Sequence, residues 1–401
     1  MKLRKFKLVL LVVATVALSI SGTAHAELIQ HTDQIAEVKF TGTTYELGKH
    51  VGEVAKDQIL DGIDRFNETL GVMLPGLNVI SLTKSFQGKD VYGRLKKSSP
   101  DAAAYIKGLS EALNRDPHLL LVVGMSDEAI LESQSRGGIG FLQTEKKGHD
   151  PKAPAKCTVM GVTDKNGKAW AGANFDYMGI FYTGLIVLNH TDTDGKTRVL
   201  QTWAGLIPYG GISKGGQVVL MNTMADEGTE RERAGGEIIS KTSVPSYYLS
   251  WEAYNIEQPG QIVDMMKAYK EYTAFFSYSI VDSHKKIINI ENNYGGALNY
   301  SSGTYDSHSN HSRYLPKSFV DEKFSAHTLA RQMAADEFVS NASVDTTEAE
   351  VRKVLESKPL WKGRGKMMGT VTSTYYTVID KKVDMYIKTD SKHPVVHIKN
   401  Y

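Results

Sequence analysis

The pattern of hydrophobic and polar positions changes character near residue 157 and so divides the chain into two parts. Before this point, apolar residues recur at helical spacing from Leu47 to Leu70. Pro100 and Pro117 each follow a residue that commonly caps a helix, and apolar positions continue from the second proline through Leu131. The sequence therefore predicts a mainly helical N-terminal part.

Beyond this point the pattern is that of strands with interspersed helices. A turn at 164–167, with Asn-Gly at its end, predicts a hairpin. The predicted strands are 158–163, 168–176, 185–189, 197–203, 218–222, 276–282, 286–291, 369–378 and 383–388. In the first part, an earlier strand is predicted to end in a turn at 40–44. The predicted helices are 245–269, 323–336 and 346–356, the last capped by Thr347. Hairpins, then helices, then strands predict a layered protein with antiparallel sheets rather than a doubly wound one.

The segment 134–156 lacks both patterns and is rich in Gly, Pro and charged residues. Such a composition is typical of an exposed loop. The segment ends immediately before Cys157, at the start of the first strand of the second part. We therefore expect a helical segment at 27–133, a linker at 134–156 and a strand-rich region at 157–401.

The first 26 residues have the composition of a secretory signal peptide. Four basic residues precede an apolar run from Leu8 to Ile20, and Ala24-His25-Ala26 fits a cleavage site. Removing these four positive charges changes the formal net charge from +2 to −2. The cleavage site has no Cys for a lipid anchor, and no later stretch approaches transmembrane length. We expect a soluble protein, periplasmic or secreted.

The composition of the chain narrows the classes of function. With 41% hydrophobic and 23% charged residues in 401, the chain is ordinary globular protein, which excludes disordered, collagen-like and coiled-coil classes. The small net charge gives no footprint for nucleic acid. No phosphate-loop, G-x-S-x-G or zinc-site motif is present, so no cofactor is expected. The pair His308 and His311 is a weak alternative metal site, since it lacks a third ligand.

Cys157 is the single cysteine of the sequence. In an exported protein it is either a buried core residue, half of a disulfide-linked dimer, or a reactive thiol. If the backbone is cut between Lys156 and Cys157, the same residue carries a thiol and a free α-amine. An α-amine with a pKa of about 7.7–8.0 can accept the thiol proton and later donate it to a leaving amine. One residue then supplies both nucleophile and base.

The residues around Cys157 resemble a known group. Cys157-Thr158, followed after a hairpin turn by the segment from Gly172 to Tyr177 (G-A-N-F-D-Y), is similar to the opening of the N-terminal-nucleophile hydrolases. The nearest branch is the acyl-coenzyme A:isopenicillin N acyltransferase-like family; penicillin V hydrolases, bile-salt hydrolases and acid ceramidase are more distant. Further similar segments, in the family's order, are 40–52, 105–112, 211–222, 309–311 and 370–373.

The resemblance implies roles for particular residues. Asp176 would help to hold the amine and thiol of Cys157, and Asn174 belongs to the same motif. Asn310 would donate its amide to the tetrahedral oxyanion, and Asn222 would add a second donor or orient the substrate carbonyl. An arginine supporting these groups is assigned to Arg331, with Arg313 as a competitor. Ala173 departs from bile-salt hydrolases and ceramidases, which tend to have an arginine there.

The resemblance also implies a fold and an activity. The fold is α+β, a four-layer αββα sandwich with antiparallel sheets, whose small and large chains stay together after self-cleavage. The activity is hydrolysis, or acyl transfer, at a linear carbon–nitrogen bond of a small acyl amide such as an N-acyl amino acid, without a cofactor. A penicillin V or bile-salt type amidase is one alternative. An uncleaved, inactive binding protein on the same fold is another.

Overall fold

Two β-sheets packed face to face form the centre of the fold, as seen in a computed structural model that describes residues 28–135, 157–224, 239–240, 242–292, 298–314, 325–366 and 368–400. The strands are β1 (Leu28–Gln30), β2 (Ile35–Thr41), β3 (Thr158–Thr163), β4 (Lys168–Met178), β5 (Leu185–Thr191), β6 (Thr197–Trp203), β7 (Ile207–Ile212), β8 (Val218–Thr223), β9 (Phe276–Val281), β10 (Ile287–Asn292), β11 (Leu298–Gly303), β12 (Tyr305–His308), β13 (Met368–Ile379), β14 (Lys382–Lys388) and β15 (Val396–Asn400).

The helices lie outside the two sheets. They are α1 (Thr44–Val54), α2 (Lys56–Met73), α3 (Val79–Gly88), α4 (Val91–Ser98), α5 (Pro100–Leu113), α6 (Pro117–Gly124), α7 (Ser126–Ser135), α8 (Ser246–Ala253), α9 (Gln261–Lys267), α10 (Ser325–Asn341) and α11 (Glu348–Leu355). None of the helices in the described part of the chain is long and apolar enough to cross a membrane.

The sheets differ in size and contain one exceptional pair. The larger sheet has nine strands in the order β1-β2-β5-β6-β7-β8-β9-β10-β11, and the smaller has six in the order β12-β3-β4-β13-β14-β15. Neighbours are antiparallel except β2 and β5, which run parallel. Strands β3 and β4 of the small sheet contact β8, β9 and β10 of the large one.

Helices cover the outer face of each sheet. α10 packs on β3 and β12, and α11 packs on β4 and β13. On the opposite side, α1, α6 and α8 contact strands β2 and β7 of the large sheet. The order of layers is therefore αββα, and the predicted α+β class with antiparallel sheets is confirmed.

Local sequence signals explain several element boundaries. α5 and α6 begin with proline, as predicted. Thr347 caps α11 in a reciprocal capping box with Glu350, which confirms the predicted cap. The predicted hairpin forms with strand β3 at the predicted residues.

Other boundaries were predicted wrongly. The apolar stripe from Leu47 to Leu70 crosses two helices, because Ala55 leaves the helical conformation between α1 and α2. Breaks at Met125 and after Ala253 likewise divide two predicted helices into α6 and α7 and into α8 and α9. Strands β1, β7, β11, β12 and β15 were not predicted; β7 contains Pro and two Gly, and β12 has four residues, so neither shows a clear alternating pattern.

The predicted domain limits are only partly covered. Residues 1–27 and 136–156, which contain the predicted signal peptide and most of the linker, lie outside the described residues, and residues 134–135 end α7. The segment 27–133 is not purely helical, since it contributes β1 and β2 to the large sheet.

Candidate active site

Cys157 lies directly before strand β3, where three chain segments meet. Its side chain is buried, with 6% of the residue exposed. β3 pairs with β4 on one side, aligning Thr158 with Asn174. It pairs with β12 on the other side, aligning Val159 with His308. The short turn that follows β12 is thereby brought beside Cys157.

Arg331, on helix α10, links the cysteine to this turn. Its Nη1 donates to the carbonyl oxygen of Cys157 at 2.6 Å and to Oγ1 of Thr158 at 2.8 Å. Its Nη2 donates to Oδ1 of Asn310 at 2.6 Å. The rigid fork of the guanidinium therefore fixes Cys157 relative to Asn310.

The competing arginine lies elsewhere. Arg313 donates to the carbonyl of Ser307 at 2.6 Å and pairs with Asp306 and Asp336. The structure therefore places Arg331 rather than Arg313 beside the cysteine. Its catalytic support role stays a prediction.

Asn310 has an amide donor to spare. Its Oδ1 accepts from Arg331, so its Nδ2 must face the other way, where it donates to the carbonyl of Thr223 at 2.5 Å. An amide nitrogen carries two hydrogens, and the second has no assigned acceptor among the described residues. The backbone N–H of Asn310 donates to Oγ1 of Thr328, which fixes the turn. This arrangement suits the predicted oxyanion donor.

Asn222, near the end of β8, binds the same turn from the large sheet. Its Nδ2 donates to the carbonyl oxygens of His308 at 2.6 Å and Ser309 at 3.0 Å. Both amide hydrogens are thus engaged, while the buried Oδ1 has no hydrogen-bond partner among the described residues. The role of Asn222 as a second oxyanion donor stays a prediction, and it requires that one of these two bonds be released.

Asp176 is a buried carboxylate at the far end of β4, two positions beyond the residue that pairs with Thr158. No described residue donates a hydrogen bond to either carboxylate oxygen. The hydroxyl of Thr370 is close enough to favour the ionised form but outside hydrogen-bonding geometry. Burial raises the pKa of Asp176 to about 6, against the opposing pull of the Arg331 and Lys362 cations.

A β-bulge lies next to this carboxylate. β13 pairs Thr370 with Asp176 and Thr372 with Phe175, which leaves Val371 as an extra residue. Bulges of this kind re-aim side chains beside functional sites.

Asn174 makes contacts of a structural kind. Its Nδ2 donates to the carbonyl oxygens of Leu355 at 2.7 Å and Leu360 at 3.1 Å. These bonds tie β4 to the end of α11 and to the loop behind it. Asn174 therefore lies in the site region, but its donors point to the outer helical layer.

A small cavity between the sheets lies beside Cys157. Its walls include Ala173, Phe175, Tyr209 and Met221. Phe175 and Tyr209 stack with ring centroids 4.1 Å apart. The cavity has a volume of about 10 Å³, which is enough for roughly one water molecule. Among the described residues, the space beside the thiol is therefore narrow.

Two contributors to the site were not found from the sequence. Lys362, in the loop after α11, acts electrostatically on both Asp176 and Arg331, and burial lowers its own pKa. Thr328, on α10, accepts the backbone N–H of Asn310 through its Oγ1. Neither belongs to a motif with fixed spacing, so no sequence signal identifies them.

The predicted metal alternative has no support in the described residues. His308 Nε2 bonds to Glu291, and His311 Nδ1 faces the hydroxyls of Ser309 and Thr328. Within the described ranges, no group of three or more His, Cys, Asp or Glu side chains could hold a metal ion.

Comparison with known proteins gives distant similarities only. No protein-family profile and no curated protein sequence matches the chain. Among solved structures, the chain is similar to penicillin V acylase from Agrobacterium tumefaciens, with 9% identity and a TM-score of 0.36, over 61% of this chain and 86% of that chain. It is also similar to a mutant of the conjugated bile acid hydrolase from Clostridium perfringens, with 13% identity and a TM-score of 0.39, over 61% of this chain and 92% of that chain. At these values the likeness assigns no activity to the chain, whose layered fold is evident from its own strand order and packing.

Proposed function

We propose that the chain is an exported N-terminal-nucleophile amidohydrolase. It cuts its own backbone between Lys156 and Cys157 and then hydrolyses linear carbon–nitrogen amide bonds of small acyl amides, with N-acyl amino acids as the first class to test. The observation that carries the proposal is the Arg331 fork, which joins the backbone of Cys157 to the oxyanion donor Asn310.

Self-cleavage begins with attack of the Cys157 sulfur on the carbonyl carbon of Lys156. The C–N bond breaks, the α-amine of Cys157 is released, and a thioester forms in its place. Water then hydrolyses the thioester, which leaves a carboxylate on residue 156 and regenerates the thiol. The net reaction consumes one water for one peptide bond.

The position of Asp176 supports this step. Its carboxylate is buried at the end of β4 and receives no hydrogen bond from the described residues. Cleavage creates an α-ammonium group at Cys157, and a buried carboxylate is stabilised by such a donor. The strand pairing puts Asp176 near the same end of the hairpin as Cys157, and we assign the new ammonium to it as a partner.

Turnover then follows the same chemistry on an external amide. The α-amine of Cys157 takes the thiol proton, and the thiolate adds to the substrate carbonyl. The spare N–H of Asn310 donates to the oxyanion, and the proton moves from the α-amine to the leaving amine. Water resolves the thioester and releases the acid. Removing one oxyanion donor typically costs about 2.7–4 kcal/mol of barrier.

The first experiment is intact mass and N-terminal sequencing of the purified protein. Wild type should give two chains, the larger beginning at Cys157, and Cys157→Ala should give a single chain. Cys157→Ser is a matched variant that retains a weaker nucleophile. Cleaved wild type is then assayed with N-acyl amino acids, penicillin V and a conjugated bile acid by release of the amine.

The outcomes separate the alternatives. Two chains and release of the amine from N-acyl amino acids support the proposal. Preference for penicillin V or the bile acid would move the substrate class to those amidases. A single uncut wild-type chain without amidase activity would contradict the mechanism and favour a binding protein on the same fold.

A further inference from the structure

His308 is buried at the end of β12, with acceptors on both of its ring nitrogens. Its Nε2 lies 2.7 Å from Oε1 of Glu291, and its Nδ1 lies 2.7 Å from the carbonyl oxygen of Ser309. A neutral imidazole has one donor and one acceptor nitrogen, and a carbonyl oxygen can only accept. Nδ1 must therefore carry a proton.

The proton at the other nitrogen follows from the surroundings of Glu291. This carboxylate, on β10, also accepts from the backbone N–H of Arg313 at 2.6 Å and from the hydroxyl of Ser312. Donors on both carboxylate oxygens favour its ionised form, and Nε2 then donates to Oε1 within a pair whose two side chains are fully buried.

This pair lies directly behind the oxyanion donor. The carbonyl of His308 accepts from Asn222, and the carbonyl of Ser309 accepts from both Asn222 and the His308 ring. Asn310 is the next residue. Glu291 therefore holds the turn at both ends, through His308 before Asn310 and through Ser312 and Arg313 after it.

We propose that Glu291 and His308 form a positioning pair that sets the orientation of the Asn310 amide in the reaction proposed above. Neither residue touches the substrate. Their effect passes through the backbone of residues 308–313, which they and Asn222 clamp. The inference rests on the proposed function for its kinetic test, but the charge state of His308 can be tested without it.

Other charged groups surround the pair. Asp306 on β12 and His311 on the turn interact electrostatically with it, and Arg313 acts on both of these neighbours. A change in the charge of His308 therefore alters the electrostatic environment of the other groups on the turn. For this reason the kinetics of the variants are compared at one fixed pH.

The kinetic test uses two variants and a control. Glu291→Gln keeps the shape and removes the charge. The double variant Glu291→Met with His308→Leu removes both polar side chains. It should still fold, because replacing a buried ion pair by apolar residues of similar size is often neutral for stability. Glu348→Gln, which alters the pair with Arg352 on α11, is the matched control.

We expect kcat per active site to fall at least tenfold in both variants, with KM changed less than threefold. Alkylation of Cys157 by iodoacetamide should keep its wild-type rate within about twofold, since Arg331 still holds the cysteine, and it also counts the folded sites. The control should retain wild-type kcat. Wild-type kcat per alkylatable site in the two variants, even with lowered stability, would overturn the inference.

NMR spectroscopy of the protein with ¹⁵N-labelled histidine is the second test, and it needs no substrate. The His308 signals are those missing from the double variant. At pH 7 they should show both ring nitrogens protonated in wild type, and this state should be lost in Glu291→Gln. A single neutral tautomer in wild type would overturn the inference. An inactive wild type with an imidazolium at His308 would sink the proposed function and leave the charged pair in place.

Discussion

At the scale of single residues, the site depends on Arg331, one side chain that reaches three partners. It is almost fully buried and donates to Cys157, Thr158 and Asn310. A lysine keeps the charge but has no planar fork, so it cannot hold the start of β3 and the Asn310 turn in one geometry.

Arg331→Lys should lower kcat on the order of 100-fold, since a loss of about 2.7 kcal/mol in oxyanion stabilisation corresponds to that factor. Steady-state kinetics on the cleaved enzyme checks this. Arg115→Lys, at an exposed position after α5, is the control and should stay within threefold of wild type. Equal losses of kcat at the two positions would show that the Arg331 fork is not required to position Asn310.

The raised pKa of Asp176 should make the stability of the fold depend on pH. The ordinary pKa of an aspartate side chain is 3.8, whereas the pKa of Asp176 in the fold is about 6. Between pH 4 and 6 the folded chain holds this proton longer than the unfolded chain, so stability falls as the pH rises. Above pH 6 the full penalty of about 3 kcal/mol remains, at 1.36 kcal/mol per unit.

Asp176→Asn in the uncut Cys157→Ala chain should therefore add up to about 3 kcal/mol to the free energy of unfolding at pH 8 and less than about 1 kcal/mol at pH 4. Urea unfolding at the two pH values checks this. Asp61→Asn, at an exposed position on α2, should show no such pH dependence. A larger gain at pH 4 than at pH 8 would contradict the raised pKa.

The sequence could predict part of this site but not its contacts. Cys157 and Asp176 belong to one hairpin, so their proximity follows from strand pairing. Arg331 follows Asn310 by 21 residues, and only the packing of α10 on β12 decides that it, rather than Arg313, reaches the cysteine. The engagement of both Asn222 hydrogens by the turn has no sequence signal.

At the scale of elements, α11 supports the site through its ends. Its first turn is fixed by the Thr347 and Glu350 capping box, and its last carbonyl accepts from Asn174 on β4. The cap was predictable because it is local. The break at Ala55 was not, because Ala favours the helix interior and only packing ends α1 there.

Thr347→Ala should lower the free energy of unfolding by about 1 kcal/mol, within the range for lost N-caps. Denaturation of the uncut chain by urea measures it. Ser340→Ala, on an exposed part of α10, should stay within about 0.5 kcal/mol of the parent. A Thr347 variant as stable as the Ser340 variant would show that the cap does not contribute to the free energy of unfolding.

At the scale of the whole molecule, the segment before the linker is built into the large sheet. β2 pairs with β5 along seven residues, from Ile35 beside Leu185 to Thr41 beside Thr191. The helices α1, α5 and α6 continue the same hydrophobic core. Exposing this surface would cost roughly 25 cal/mol for each Å² of apolar area.

The two chains of the cleaved protein should therefore remain one particle. Native mass spectrometry should give the sum of both chains and the same oligomeric state as uncut Cys157→Ala. The chains should separate only in denaturant. Release of the smaller chain in native buffer would contradict this expectation.

The parallel pair of β2 and β5 also affects how the protein folds before and after the proposed cleavage. About 150 residues separate the two strands, and the intact backbone brings them together as one intramolecular event. Once the backbone is cut, the same pairing becomes an encounter between two separate molecules, whose rate depends on concentration. The mature enzyme would then persist through a slow rate of unfolding rather than through reversible equilibrium. If the proposed cut takes place, reassembly of the separated chains is therefore slower than folding of the uncut chain, and it slows further as the protein is diluted.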